Sequence, residues 1–261
     1  MKQQSSQPKK SEEKLQKYLA NYGFANRRNV ANLIKESVVR VNSKKCNVNT
    51  LVKTGDIVSV DGEEHIIDLN PEVELLIYHK PVGQICSSKS RKLNESVFSS
   101  IPPRKKGKWI MVGRLDINTS GLLLFTNCGN FANFLAHPSS SIDREYLCRV
   151  YGDINDKKID KLLSGVKLDG QDAKFSDIAP VRKQGKSKNH WFYVCLFSGK
   201  NREVRRLWSS QKLTVNRLIR VRYGSFLLPE NLKTGGWRKV CLLYTSPSPR
   251  DMRRSRMPSS A

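Results

Sequence analysis

Residues Val112–Asn127, "VGRLDINTSGLLLFTN", decide how the rest of the chain is read. The second half of the stretch is easy to explain. Leu122–Phe125 is a short apolar run bounded by Gly121 and Asn127, which predicts a buried strand. Asp116 is harder. It is a single carboxylate, two residues after Arg114 and a few residues before the strand. A reason for it has to come from elsewhere in the chain.

Charge is the strongest global fact. The 261 residues hold 47 Lys and Arg against 23 acids, a net charge of +24. Such an excess attracts polyanions, and nucleic acid is the commonest of these in a cell. A membrane is the competing partner. No apolar run reaches the roughly 18 residues of a membrane span, and no long basic amphipathic helix or lipidation motif is evident. The opening "MKQQSSQPKKSEEK" has no apolar stretch and does not read as a secretory signal. The six cysteines (Cys46, Cys86, Cys128, Cys148, Cys195 and Cys241) form no close pairs. That argues against a CxxC zinc or redox site and fits reduced thiols in the cytoplasm.

Residues 1–10 are polar and read as a disordered tail. A helix is expected from Ser11, which can cap it, with Leu15, Tyr18, Leu19 and Tyr22 at helical spacing and Gly23 as its end. Asn26 can cap a second helix with Val30, Leu33 and Ile34 as its stripe. "VVRVN" and "DIVSVDG" read as strands. The second helix starts among cations, Arg27 and Arg28, with Lys35 further along. Cations repel the positive end of a helix, and a bound phosphate removes that conflict. "DLNPE", Asp68–Glu72, is a turn-rich connector, giving one domain over 11–68 and a second over 73–240.

In the second domain "ELLIYHKP", "REYLCRVYG" and "HWFYVCLFSG" read as strands. "REVRRLWSS" reads as a helix with Val204, Leu207 and Trp208 inward. "RLIRVRYG" alternates, with Ile219, Val221 and Tyr223 to one side and Arg220 and Arg222 to the other. Many strands and few helices predict an α+β fold on a mixed, mostly antiparallel sheet. Residues 241–261 are rich in Ser, Pro and Arg and read as disordered. They also resemble translated adaptor sequence, so the native chain is expected to depart near Val240. The segment holds four Arg and one Asp, so the remainder still carries +21.

Several chemistries find no support. There is no GxxxxGK[ST] loop, HExxH helix or GxSxG elbow, and the four histidines are far apart in sequence. His137 in "LAHPSS" reads as a turn residue. Asp143 and Glu145 are weak candidates for a second acid beside Asp116. Three segments are more specific when read together: "GRLDINTSGLLLFTN", "REYLCRV" and "GKNREVRRLW". They supply one acid, a Tyr inside an apolar strand, and an Arg-rich helix start.

This set resembles the pseudouridine synthases of the RsuA/RluB group, over about residues 12–240. "EKLQKYLANYGFANRRNVANLIKESVVRVN" resembles the S-four-type RNA-binding domain that accompanies them. The resemblance implies that Asp116 is the catalytic carboxylate, acting by attack on the sugar or by proton removal to a glycal. It implies that Tyr146 stacks on a flipped uracil and that Arg205 pairs with Asp116. Arg114 would fill the gap the flipped base leaves, with Arg27, Arg28, Lys35, Lys80 and Arg202 toward the RNA. The isomerisation needs no redox change, cofactor or metal. The expected partner is ribosomal RNA, of the large subunit, with the protein a monomer. The competing readings are a small-subunit target and a non-catalytic ribosome-assembly factor.

Overall fold

The helix expected from Ser11 begins only at Leu15. Glu12–Lys14 (β1) is extended and pairs antiparallel with Leu51–Lys53. The N–H groups of Leu15 and Gln16 donate to the carbonyls of Thr50 and Val48. Strand pairing thus satisfies donors that a cap would otherwise have to meet, and the N-cap residue, Lys14, makes no capping bond. The structure is a computed structural model that describes residues 11–25, 28–87, 95–104, 107–181 and 188–240. The expected cap Asn26, the cation Arg27 and both expected tails lie outside those residues.

The chain divides into two compact units. The first comprises residues up to Glu74, with Pro103–Ile110 and Thr126–Phe131. Its helices are α1 (Leu15–Asn21) and α2 (Val30–Glu36). Gly23, at φ +81°, turns the chain out of the first. The strands are β2 (Val39–Val41), β3 (Lys44–Lys45), β4 (Leu51–Lys53), β5 (Ile57–Val60) and β6 (Glu63–Ile66). They form an antiparallel sheet in the order β3-β2-β5-β6, beside the β1–β4 pair. Leu15, Leu19, Val30, Val52, Val58 and Ile67 make its core. Arg28, Lys35, Arg40, Lys44 and Lys45 are all exposed.

The second unit is built on a nine-stranded sheet. Its first elements are β7 (Leu75–Lys80), β8 (Ile110–Val112, counted from Met111), β9 (Ser120–Thr126, counted to Phe125) and α3 (Gly129–Ala136, counted from Ala132). Next come β10 (Arg144–Tyr151), α4 (Asp156–Ser164), and the small hairpin of β11 (Val166–Leu168) and β12 (Gln171–Ala173). The remainder is β13 (Asp177–Pro180), β14 (Asn189–Leu196), α5 (Glu203–Ser210), β15 (Thr214–Tyr223), β16 (Phe226–Leu227) and β17 (Trp237–Val240). The order is β13-β14-β10-β15-β9-β7-β17, with β16 on β15 and β8 on β9. The β9–β15 pair is parallel, whereas β15 runs antiparallel to β10 and β10 to β14. The fold is therefore α+β on a mixed, mostly antiparallel sheet, as the strand count predicts.

β9 is central, and each residue of Leu122–Phe125 is fully buried. A strand covered on both faces needs a continuous apolar run rather than an alternating one. Tyr78 and Phe98 set their rings edge-on to Phe125. α5 buries Val204, Leu207 and Trp208 as its stripe requires. Trp208 packs on Phe175 and Phe192, with centroids 5.7 and 5.3 Å away.

β15 departs from strict alternation. Glu145 lies opposite Arg222, yet Tyr146 lies opposite Arg220. Val221 is therefore the extra residue of a β-bulge, which resets the faces of the strand. Arg220 ends on the same face as Tyr223, its guanidinium carbon 5.0 Å from the centre of that ring. The sequence pattern had placed those two on opposite faces.

Candidate active site

A cavity of about 670 Å³ opens in the second unit, between the segment that follows β8, the chain before α5, and the faces of β10 and β15. Asp116 and Tyr146 both line it. Asp116 is half-buried, in the link from β8 to β9. Its carbonyl accepts from the Thr119 N–H at 3.0 Å, closing a tight turn. Gly121 then enters β9 directly against Arg220, where a Cβ would stand 2.3 Å from the Arg220 carbonyl oxygen. Only glycine permits that approach, at φ +106°. The turn that leads into β9, together with β15 and β10, thus brings Asp116, Arg220 and Tyr146 to one cavity.

Two cations hold the Asp116 turn through carbonyls. Lys80 is 0% exposed. Its Nζ donates to the carbonyls of Pro81 (2.9 Å), Asp116 (3.2 Å) and Thr119 (2.9 Å), so all three ammonium hydrogens are used. Burial lowers its pKa, and the nearby Cys86 and Asp116 oppose that shift. The expectation that Lys80 faces RNA is corrected: it is the internal strut of the turn. Arg205 gives Nη1 to the Val215 carbonyl at 2.6 Å and Nη2 to that of Asn118 at 2.9 Å. Burial and Arg202 lower its pKa, while Asp116 and Cys148 act the other way. Arg205 therefore reaches Asp116 by charge and by gripping Asn118. The hydrogen bonds of its guanidinium go to those carbonyls, and the expected direct pairing is corrected accordingly.

Tyr146 is 9% exposed and has Arg220 as its cross-strand neighbour on the cavity face. Arg114 and Arg202 line the cavity and are exposed, as is Lys200. The "GKNRE" segment is shaped by Glu203, whose buried carboxylate accepts from the Ser198 hydroxyl (2.6 Å) and the Lys200 N–H (3.1 Å). An acid in the first turn also suits the helix dipole. Arg202 takes a left-handed conformation at the N-cap, φ +48°. Arg28 and Lys35 belong to the first unit and are exposed there.

The structure adds residues that sequence reasoning missed. Arg144 and Arg220 line the cavity from within, 7% and 2% exposed. Arg144 donates to the Ile142 and Phe197 carbonyls and to the Tyr223 hydroxyl. That hydroxyl in turn donates to the Leu135 carbonyl. Arg144 was visible as the first letter of "REYLCRV". Arg220 was hidden by the bulge. Asp143 and Glu145 do not line the cavity. Both are ion-paired to Arg222, at 2.7 Å each. Burial would raise the Asp143 pKa, but the hydrogen bonds and charge of Arg222 outweigh it and hold the carboxyl below its usual value. Two of the thiols are poor nucleophiles: burial pushes Cys148 up to about 12 and Cys195 up to about 11.

One half-buried acid, a buried Tyr and tiered cations on a mixed sheet define a class. The RNA pseudouridylate synthase family model matches residues 74–210, more than half of the chain, and the S4 domain model matches residues 13–58. The chain belongs to the RNA pseudouridylate synthase family and is an RNA pseudouridine synthase. Among its relatives is the ribosomal large subunit pseudouridine synthase B of Buchnera aphidicola subsp. Acyrthosiphon pisum. It is 42% identical over 231 residues, which cover 87% of this chain and 92% of the relative. The protein of the same name from Vibrio vulnificus is 44% identical over 233 residues, covering 87% and 72%. A solved pseudouridylate synthase structure shares the fold, with TM-score 0.58 and 20% identity, covering 87% of this chain and 96% of that one.

Proposed function

We propose that the protein isomerises one uridine of large-subunit ribosomal RNA to pseudouridine, with Asp116 as its catalytic carboxylate. The observation that carries this reading is the placing of Asp116 and Tyr146 on one cavity whose mouth bears Arg114, Lys200 and Arg202. The names of the relatives at 42% and 44% identity support the large subunit as the target. Exposed cations at the mouth suit phosphates, which position an RNA without reading its sequence. A base flipped out of the stack enters below them and lies against Tyr146. Asp116 then either bonds to C1′ or removes the 2′ proton; one carboxylate serves both routes. The freed uracil turns and C5 bonds to C1′ as the Asp116–C1′ bond breaks or as Asp116 returns the 2′ proton to the sugar; the C5 proton then leaves to water and N1 takes one up. Arg205 and Lys80 keep the turn in place through carbonyls and touch no substrate. Residues 11–68, with Arg27, Arg28 and Lys35, anchor the RNA, and the protein works as a cytoplasmic monomer without a cofactor.

The test is tritium release from ribosomal RNA labelled at uracil C5. Wild-type protein should release it from large-subunit RNA. Asp116→Asn should abolish release and leave RNA affinity within about threefold. Release from small-subunit RNA alone would refute the target, and substantial turnover by Asp116→Asn would refute the nucleophile.

A further inference from the structure

We propose that Arg220 donates a hydrogen bond to a carbonyl oxygen of the flipped uracil and stabilises the charge on the departing base. The inference rests on the isomerase reading above and adds a catalytic residue to it.

Arg220 is 2% exposed and lines the cavity. Its Nε is committed to the Leu122 carbonyl at 2.8 Å. Its Nη2 is buried and, among the described residues, has no hydrogen-bond partner. A guanidinium held so far from water is costly to bury unless its donors are matched. The Tyr223 ring at 5.0 Å offsets part of that cost and holds the plane, but it accepts no N–H in the manner of an oxygen. A second orphaned polar atom, Oγ1 of the buried Thr119, lies on a residue that also lines the cavity. The unmatched donor calls for an acceptor that arrives with the substrate.

Depth decides which acceptor. The cations of the mouth, Arg114, Lys200 and Arg202, are exposed and suit phosphates. Arg220 lies buried beside Tyr146, its cross-strand neighbour, where the flipped base is placed. When the C1′–N1 bond breaks, the bonding pair leaves with the base and spreads over N1, O2 and O4. Asp116 compensates at the sugar, by a new bond to C1′ or by taking the 2′ proton. Arg220 keeps its proton throughout. Its hydrogen bond strengthens as charge builds on the oxygen, which is the condition for accelerating the step rather than merely binding the base.

The test compares uridine with 5-fluorouridine in otherwise identical large-subunit RNA transcripts. Fluorine stabilises the uracil anion, so the fluorinated base needs less help to leave. Single-turnover rates of loss of the N1-linked nucleoside, read from nuclease digests because 5-fluorouridine has no C5 proton to release, would be measured at saturating protein for wild type, Arg220→Met and Arg220→Lys. Arg220→Met keeps the bulk of the stem and should slow uridine about 100-fold or more. RNA affinity should change by less than about threefold. With 5-fluorouridine the deficit should shrink to about 10-fold. Arg220→Lys, which keeps the charge but not the fork, should show the same narrowing, and it serves if Arg220→Met does not fold. Equal deficits for the two bases, or a loss confined to RNA affinity, would overturn the assignment. A wild type inactive on both bases would overturn the isomerase reading as well.

Discussion

Gly121→Ala measures how tightly the Asp116 turn is welded to β15. Two separate costs can be worked out. At φ +106° an L side chain is strained by about 1–2 kcal/mol. In addition, the new Cβ would stand 2.3 Å from the Arg220 carbonyl oxygen and 2.6 Å from its nitrogen. Both are backbone atoms, so no rotamer change relieves the clash. β9 and β15 must separate where Ser120 and Gly121 face Ile219 and Arg220. Losing roughly two ladder hydrogen bonds there costs about 1 kcal/mol each. The total is about 3–4 kcal/mol, or roughly a 10 °C fall in Tm for a unit of this size. Gly170→Ala is the control: φ is +76° and nothing lies within 4 Å of the added carbon, so only the strain remains. Urea unfolding of both variants, followed by Trp fluorescence, separates the two costs. If they lose the same stability within about 0.5 kcal/mol, the close-contact reasoning is wrong.

Three further outcomes are expected. Lys80→Met removes the ammonium that binds three carbonyls, and should cost about 3 kcal/mol in urea unfolding; a loss below about 0.5 kcal/mol would show that the turn stands without it. Arg114→Ala, Lys200→Ala and Arg202→Ala should each lower the slope of log affinity against log salt by about 0.7–0.9, whereas Lys80→Met should leave it unchanged. Asp143, held below its usual pKa, adds stability that is complete above the unfolded value near about 3.9 and is lost as pH falls through the folded value. Asp143→Asn should therefore flatten the acid limb below about pH 4 and leave its shape near neutrality unchanged.

Local pattern was a good guide where one segment determines its own environment. Leu122–Phe125 and the Val204, Leu207 and Trp208 stripe were readable because apolar runs and helical spacing carry the information in place. The misreadings share a cause. Glu12–Lys14 looked like the first turn of a helix, but residues nearly forty positions away pair with it. Arg220 looked outward because an alternating strand was assumed, and one extra residue opposite β10 changes its face. Lys80 looked like a surface cation because nothing in "YHKPVG" reveals that three carbonyls converge on it. Arg205 was assigned to Asp116 by its motif, and the structure shows its hydrogen bonds going to neighbouring carbonyls. In each case the chemistry of the residue was legible and its geometry was set by another segment.

Lys80 has a consequence for how the protein can be observed. Amine-reactive labels find exposed lysines within minutes, and this chain is rich in them. Lys80 is shut away with every hydrogen engaged, so it should stay silent in the folded protein. A label can reach it only when the turn bearing Asp116 lets go. The rate at which this one lysine becomes modified is therefore a clock for the opening of the catalytic turn, readable by mass spectrometry without any change to the sequence.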